Sequence, residues 1–211
     1  MFTLPRVYAL TDVQLSGLSH AEQVDLFIRG GASLVQLREK QMPALEFYEQ
    51  ARGAVAIARQ QGVTVIINDR VDVALAVGAH GVHLGQDDLP PEAVRELLGP
   101  EAIIGYSTHT VEQAREALTL PISYLAIGPI FQTTTKTDTS PVLGLDALRA
   151  VRRAIGSLPL VAIGGITYAN AREAIEAGAD SVAVISALVS NPARITQATR
   201  DLIHSLPPLA C

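Results

Sequence analysis

The segment Gly31-Ala-Ser-Leu-Val-Gln-Leu-Arg-Glu-Lys40 contains the unit from which the fold is predicted. Glycine is favoured just past the end of a helix, and the apolar residues that follow it have the pattern of a buried strand. The same step from glycine into an apolar run recurs as Gly-Ala-His-Gly-Val at 78–82 and Gly-Ala-Asp-Ser-Val at 178–182. The repeat predicts a chain in which helices end and strands begin at regular intervals.

Short apolar runs and longer helical patterns alternate along the whole chain. The predicted strands are Val7–Thr11, Ser33–Leu37, Thr64–Ile67, Gly81–Leu84, Ala102–Gly105, Tyr124–Gly128, Leu160–Ile163 and Ser181–Ile185. The predicted helices between them include Ala21–Arg29, Ala44–Gln60, Val71–Val77, Glu92–Leu98, Val111–Ala117, Leu145–Ala154, Tyr168–Ala177 and Pro192–Ser205. Such alternation indicates parallel strands joined by crossover helices.

Eight of these units predict an α/β fold, a (β/α)₈ TIM barrel. We expect a single compact domain over residues 1–211, with a frayed tail over 206–211. The alternative is an open doubly wound sheet. The first strand-to-helix turn, at 11–17, lacks the GxGxxG pattern, which argues against a dinucleotide-binding version of that sheet.

Composition restricts the functional classes. Of the 211 residues, 48% are hydrophobic and 18% charged, which suits a large globular core. The net charge of −5 predicts no nucleic-acid partner. The single cysteine, Cys211, excludes an internal disulfide. We find no signal peptide and no apolar run of roughly 20 residues, so we expect a cytoplasmic protein without membrane contact. The sequence leaves a homo-oligomer open.

The polar end of the second strand, Gln36-Leu-Arg-Glu-Lys40, predicts an anion site. Side chains alternate faces along a strand, so Gln36, Arg38 and Lys40 point one way, and the two intervening residues point the other. Two cations buried without partners are costly. We therefore expect a bound anion at this end of the strand.

Two aspartates follow neighbouring predicted strands. Asp69 comes after the third strand and Asp88 after the fourth. Paired carboxylates beside a phosphorylated ligand are typical of Mg²⁺ sites. The alternative is that each aspartate caps the helix that follows it. The positively charged end of the neighbouring strand favours the metal.

Later strand ends predict a second anion site. Gly164 and Gly165 follow strand seven, and Ser186 follows strand eight, where this fold commonly binds phosphate. Backbone N–H groups and the next helix would supply the positive potential. A tight turn is the alternative explanation of the two glycines. The threonine-rich loop at 128–140 is either a lid or, as composition alone favours, a solvated connection.

Strand five is followed by Ser107-Thr-His-Thr110. Ser107 is a candidate donor to substrate. Thr110 is predicted to cap the next helix, with Gln113 completing a capping box. His83 and His109 are interpreted as local hydrogen-bond partners rather than catalysts.

In order along the chain, seven motifs resemble the thiamine-phosphate synthase family. They are Gln36-Leu-Arg-Glu-Lys40, Ile67-Asn-Asp-Arg70, Val82-His-Leu-Gly-Gln-Asp-Asp88, Ser107-Thr-His-Thr110, Thr133-Thr-Thr-Lys136, Ala162-Ile-Gly-Gly-Ile166 and Val184-Ile-Ser186. The resemblance implies the condensation of hydroxymethylpyrimidine diphosphate with hydroxyethylthiazole phosphate, or its carboxylated form, giving thiamine phosphate and pyrophosphate.

The resemblance also implies the roles of individual residues. Asp69 and Asp88 would hold one Mg²⁺. The pyrimidine diphosphate would be bound by Gln36, Leu37, Arg38, Glu39, Lys40, Asn68, Ser107 and Lys136. The thiazole phosphate would be bound by Thr133, Thr134, Thr135, Gly165, Ile185 and Ser186. The catalytic set would be Arg38, Lys40, Ser107 and Lys136, of which the three cations would stabilise the departing pyrophosphate.

One position departs from the family pattern. Gln132 stands where the family often has proline, and the change is expected to alter the flexibility of the loop. The alternatives are a thiazole tautomerase-like barrel, a non-catalytic phosphate-binding paralogue, and a phosphosugar isomerase or aldolase. The last would need a general base or Schiff-base lysine, which we do not identify. Asp88 and the Thr-x-Thr-Lys element argue for the synthase over the tautomerase.

Overall fold

Eight parallel strands close into a barrel in the computed structural model, which describes residues 3–133 and 141–208. The strands are β1 (Val7–Leu10), β2 (Leu34–Leu37), β3 (Thr64–Asn68), β4 (Gly81–Leu84), β5 (Ile103–Thr108), β6 (Tyr124–Ile127), β7 (Leu160–Ile163) and β8 (Ser181–Val184). Each pairs with the next along the chain, and β8 pairs with β1. The predicted TIM barrel is therefore confirmed, and the open sheet is excluded.

Helices connect the strands. Within the described residues they are α1 (Val13–Ser16), α2 (His20–Arg29), α3 (Ala44–Gln60), α4 (Val71–Val77), α5 (Pro91–Leu98), α6 (Val111–Glu116), α7 (Gly144–Ile155), α8 (Ala171–Glu176), α9 (Ser186–Val189) and α10 (Ile195–Ser205). Short 3₁₀ turns cover Ala117–Thr119 and Pro192–Arg194. None of these helices has the length and apolar character needed to cross a bilayer.

Alternation along the strands divides the core into two layers. In β2, Val35 and Leu37 pack outward in the large core, while Leu34 belongs to the smaller core inside the barrel. The interior also holds two tyrosines, Tyr8 and Tyr124. The strand periodicity of the sequence therefore predicts correctly that Gln36 and Leu37 lie on opposite faces.

Strand β5 is longer than predicted. It continues to Thr108, because that residue still pairs with Ile127 of β6. Ser107 and Thr108 look like loop residues in the sequence, but both belong to β5 and the side chains of both are hydrogen-bonded. The Thr108 hydroxyl donates to the carbonyl oxygen of Ala126 at 3.1 Å, and Ser107 bonds to His83 at 2.8 Å.

Several helices differ from the prediction in their boundaries. Helix α8 begins at Ala171, because the Asn170 side chain bonds to the 165–167 turn and competes with the helix. The short helices α1 and α9 were not predicted from the sequence. The frayed tail cannot begin at 206, because Leu206 is buried and Arg6 donates to the carbonyl oxygens of Pro207 and Pro208.

Candidate active site at the carboxyl ends of the strands

Two adjoining cavities open where the strands end. The large cavity, of about 450 Å³, is lined mostly by residues after β2, β3, β4 and β5. The small cavity, of about 50 Å³, lies against β6, β7 and β8. Four residues line both cavities: Ser107, His109, Ile163 and Ile185. The strand ends at which the two anion sites are predicted therefore lie side by side.

The charged pentapeptide contributes alternate residues to the large cavity. Gln36, Arg38 and Lys40 line it, together with Asn68 from β3 and Ser107 from β5. Leu37 and Glu39, which the family resemblance assigns to the pyrimidine diphosphate, are not among the lining residues. Leu37 is fully buried in the core outside the barrel. Leu37 and Glu39 therefore have no side chain in the cavity wall with which to contact a ligand.

Glu39 organises the loop after β2. Its Oε1 accepts hydrogen bonds from the N–H groups of Lys40 and Gln41 at 2.8 Å and of Met42 at 3.1 Å. Burial alone would raise the pKa of the Glu39 carboxyl, but the three N–H groups lower it below its ordinary value. The ionised carboxylate therefore fixes the backbone that carries Lys40.

Both cations of the pentapeptide have carboxylate partners in the protein. An Nη1 atom of Arg38 lies 3.6 Å from Asp12 of the β1–α1 turn, and the Lys40 ammonium forms an ion pair with Asp69. The argument that these cations need an external anion because they would otherwise be unpaired is therefore wrong. What remains is a cavity wall where two cations lie among carboxylates.

Asp69 and Asp88 meet at this wall. Burial raises the pKa of Asp69, Lys40 lowers it, and the neighbouring carboxyl group of Asp88 raises it again, so that the net shift is upward. Two carboxylates in contact repel each other unless a proton or a cation lies between them. Asp69 also adopts a left-handed backbone, with φ of 58°, an uncommon conformation for a residue other than glycine.

Helix capping does not explain either aspartate. The positions that precede α4 and α5 are Arg70 and Pro90, and neither helix has a side-chain cap. Asp88 instead accepts from the N–H of Gly85 at 2.7 Å, within the β4–α5 turn. Its carboxylate thus stays at the cavity, where Asp69 also lies.

The pair fits a magnesium ion that the substrate helps to ligate. In the described part of the chain, no group of three or more His, Cys, Asp or Glu side chains converges on one point. Mg²⁺ is commonly bound by one or two carboxylates together with phosphate and water oxygens. Asp69 and Asp88 match that donor set, while a closed zinc-type site does not.

Glycines shape the small cavity. Gly164 and Gly165 have φ values of 95° and 64°. A Cβ on Gly165 would lie 2.3 Å from the carbonyl oxygen of Gln132, and one on Gly164 would lie 2.5 Å from Pro129. The turn interpretation of the doublet is therefore correct. The same turn also lines the cavity with Thr133, Ile185 and Ser186.

Some predicted contributors to the small cavity lie elsewhere or cannot be placed. Helix α8 begins six residues beyond Gly165, so its positive end does not follow directly from the turn, as the sequence interpretation expected. Thr134, Thr135 and Lys136, and with them most of the predicted lid, lie outside the described residues. Within the described part, the N–H groups of Gly165 and Ile166 donate to no protein acceptor.

Comparison with known proteins agrees with this arrangement. The family model described as thiamine monophosphate synthase matches residues 7–188, which include all eight strands. The chain belongs to the thiamine monophosphate synthase family. The resemblance carried by the seven motifs is thereby confirmed.

Individual members of the thiamine monophosphate synthase family are similar to this chain over nearly their whole length. The thiamine-phosphate synthases of Albidiferax ferrireducens and Koribacter versatilis are each 47% identical, covering 95% and 96% of this chain and 93% and 97% of their own. The solved structure of thiamine phosphate pyrophosphorylase from Pyrococcus furiosus is 38% identical, with a TM-score of 0.86, covering 95% of this chain and 94% of that one.

Several residues of this site were not predicted from the sequence. Asp12 pairs with Arg38, and Gln86 and Gln113 line the large cavity. Asp12 and Gln86 lie just after strands, and Gln113 lies in the first turn of α6. These positions were the available signal, but isolated polar residues at such places are too common to stand out. His109 does bond locally as predicted, to the carbonyl oxygen of Gly128 at 2.7 Å, but it also lines both cavities.

The helix cap predicted beside this site has a modified form. Thr110 accepts from the N–H of Gln113 at 3.1 Å, as a cap should. The Gln113 side chain, however, accepts from the N–H of His109 at 2.7 Å rather than from that of Thr110. The reciprocal bond of a standard capping box is therefore shifted by one residue.

Proposed function

We propose that the chain is a thiamine-phosphate synthase. It would condense 4-amino-2-methyl-5-(diphosphomethyl)pyrimidine with 4-methyl-5-(2-phosphoethyl)thiazole, or its carboxylated form, to give thiamine phosphate and pyrophosphate. Family membership and the names of the relatives support a transferase of thiamine biosynthesis. The observation that carries the proposal is the pair of adjoining cavities, one with cations and paired carboxylates and one lined by a glycine turn.

The division of the site suits two phosphorylated substrates. The diphosphate would occupy the large cavity beside Arg38 and Lys40, and the phosphate group of the thiazole substrate would occupy the small one near Gly165 and Ser186. Ser107 and His109 line both cavities, so the reacting atoms would meet beside them. The N–H groups of Gly165 and Ile166 are suitable phosphate donors.

The reaction breaks the bond between the pyrimidine methylene carbon and the diphosphate oxygen. The electron pair leaves with the diphosphate, and the lone pair of the thiazole nitrogen then forms the new carbon–nitrogen bond. The electron-rich aminopyrimidine stabilises the intermediate cation, so no protein nucleophile is required. Arg38 and Lys40 stabilise the charge on the leaving group. Asp69 and Asp88 would hold one Mg²⁺, which neutralises diphosphate charge when bound.

The test is pyrophosphate release from both substrates with Mg²⁺. We expect release to require both substrates, and expect Asp69→Asn and Asp88→Asn to lower kcat/KM by roughly 100-fold. The matched control is Asp72→Asn, because Asp72 is an exposed carboxylate paired with Arg70 outside the cavities. Isomerisation of a thiazole phosphate without pyrophosphate release would instead identify a tautomerase. Binding without turnover would identify a non-catalytic paralogue.

A further inference from the structure

Five side chains form a hydrogen-bonded chain across the inside of the barrel. Nε2 of Gln36 donates to the Tyr8 hydroxyl at 2.9 Å, and the Tyr8 and Tyr124 hydroxyls lie 3.0 Å apart. The Tyr124 hydroxyl lies 3.0 Å from Nδ1 of His83, whose Nε2 lies 2.8 Å from Oγ of Ser107. Both ends, Gln36 and Ser107, line the large cavity. We call this set the buried relay.

The surrounding barrel leaves space for the relay. The Tyr8 and Tyr124 rings meet edge to face at 5.9 Å, and His83 stacks on Tyr124 at 5.6 Å. Gly105 of β5 lies directly beneath this contact. A Cβ at Gly105 would lie 2.0 Å from Cζ of Tyr124 and 2.5 Å from Nδ1 of His83. The absence of a side chain at that position is thus a requirement of the relay.

With the Gln36 amide oriented so that Nε2 faces Tyr8, counting protons gives the relay a direction. Burial raises the pKa of both tyrosines well above the ordinary value, so each hydroxyl keeps its single proton. Tyr8 already accepts from Gln36, and its own proton needs an acceptor, which Tyr124 provides. If Tyr124 donated to Tyr8 instead, the Tyr8 hydroxyl would accept two hydrogen bonds, and its own proton would have no acceptor in the core, which is costly. Within this set of five side chains, Tyr124 then donates to Nδ1 of His83, which lies 3.0 Å from its hydroxyl.

The consequence reaches the cavity at both ends. An imidazole that accepts at Nδ1 carries its proton on Nε2, so His83 donates to Ser107, and the Ser107 hydroxyl proton is left for a ligand. At the other end, the Gln36 amide donates a hydrogen bond from its N–H group to the Tyr8 hydroxyl. Among the described residues no donor reaches the Gln36 Oε1, which is left as an acceptor.

We propose that Tyr8, Tyr124 and His83 are positioning residues that fix Gln36 as a hydrogen-bond acceptor and Ser107 as a donor toward the ligand of the large cavity. This rests on the proposed function for the identity of that ligand. An acceptor at Gln36 suits the amino group of an aminopyrimidine, and a donor at Ser107 suits a ring nitrogen or an anionic oxygen. A ligand with the reverse pattern would meet two mismatched groups.

The direction of the relay can be measured without turnover. In protein labelled with ¹⁵N-histidine, we expect the neutral His83 ring to carry its proton on Nε2, with the signals assigned by their loss in His83→Gln. Tyr124→Phe removes the group that selects this tautomer, so we expect the His83 signals to move toward a mixture of both forms. A wild-type ring protonated on Nδ1, or a tautomer unchanged in Tyr124→Phe, would overturn the proposal.

Kinetics then separate positioning from a purely structural role. For Tyr8→Phe and Tyr124→Phe we expect KM for the pyrimidine diphosphate to rise about fivefold to tenfold, as the loss of an oriented hydrogen bond predicts, with KM for the thiazole phosphate unchanged. Tyr48→Phe is the control, because Tyr48 lies on α3 outside the barrel. Equal changes in both KM values, or none, would contradict positioning. The expected tautomer without any turnover would leave the relay intact and refute the proposed function.

Discussion

At the scale of single residues, the charged groups of this site make hydrogen bonds and ion pairs within the protein, and these contacts hold them in place for a ligand. Glu39 belongs to a motif interpreted as a ligand hook, yet its carboxylate is engaged by three backbone N–H groups. His20, buried behind it on α2, bonds through Nδ1 to Thr11 at 2.7 Å, and Nε2 lies 3.7 Å from Glu39. Thr11 in turn accepts from the N–H of Arg38 at 3.1 Å. Together these contacts support the loop that bears both cations.

His20 makes stability depend on pH. Burial lowers its pKa from 6.5 to about 4, although Glu39 and Asp12 oppose the shift. Between pH 6.5 and about pH 4, His20 is therefore protonated in the unfolded chain but neutral in the folded protein. The stability contribution is complete above pH 6.5 and is lost as the pH falls toward 4, by roughly 3 kcal/mol in total.

The measurement is Tm at about pH 7.5 and about pH 5. We expect the wild type to lose more stability on acidification than His20→Gln, which has no titrating group at this position. Equal losses in the two proteins would show that His20 is not responsible.

At the scale of elements, strand ends and turns determine which groups reach the cavities. The alternation of β2 sends Arg38 and Lys40 to the site and Leu37 away from it, as the sequence predicts. The β7–α8 turn is different, because its shape depends on the 128–133 segment packed against it. Phe131 donates to the carbonyl oxygen of Gly164 at 3.0 Å, and Ile130 to that of Ile163 at 2.9 Å.

Gly165→Ala tests this packing. The new Cβ would lie 2.3 Å from the Gln132 carbonyl oxygen, so we expect the segment to shift and KM for the thiazole phosphate to rise by at least about tenfold. Gly62→Ala is a matched control, because Gly62 has nearly the same φ, 66°, but no atom within 4 Å of its Cβ position. If both variants bind the thiazole phosphate normally, the packing of the turn is unimportant.

At the scale of the whole molecule, the barrel brings together groups from every strand. The relay uses side chains of β1, β2, β4, β5 and β6, and the candidate metal ligands follow β3 and β4. Two carboxylates alone make a weak magnesium site, whereas a bound diphosphate would complete it. Metal and diphosphate should therefore stabilise the folded protein together rather than separately.

Thermal unfolding can detect this linkage. We expect Mg²⁺ alone to change Tm little, and Mg²⁺ with pyrophosphate to raise it by a few degrees, as a ligand that binds only the folded state must. Asp88→Asn should abolish the joint effect, and Asp72→Asn should keep it. A full shift with pyrophosphate and a chelator would exclude a role for the metal in this site.

The sequence by itself determined the barrel, because the apolar periods of strands and helices report local burial directly. It also determined which residues of β2 face the cavity, and that Asp69 and Asp88 lie at neighbouring strand ends. Only the tertiary structure decided that Asp12 pairs with Arg38, that Ser107 belongs to a strand, and that Tyr8, Tyr124 and His83 join Gln36 to Ser107. These contacts link residues up to 116 positions apart in the chain. Barrel closure determines which buried polar groups become hydrogen-bond partners, and the local sequence around each residue does not predict that pairing.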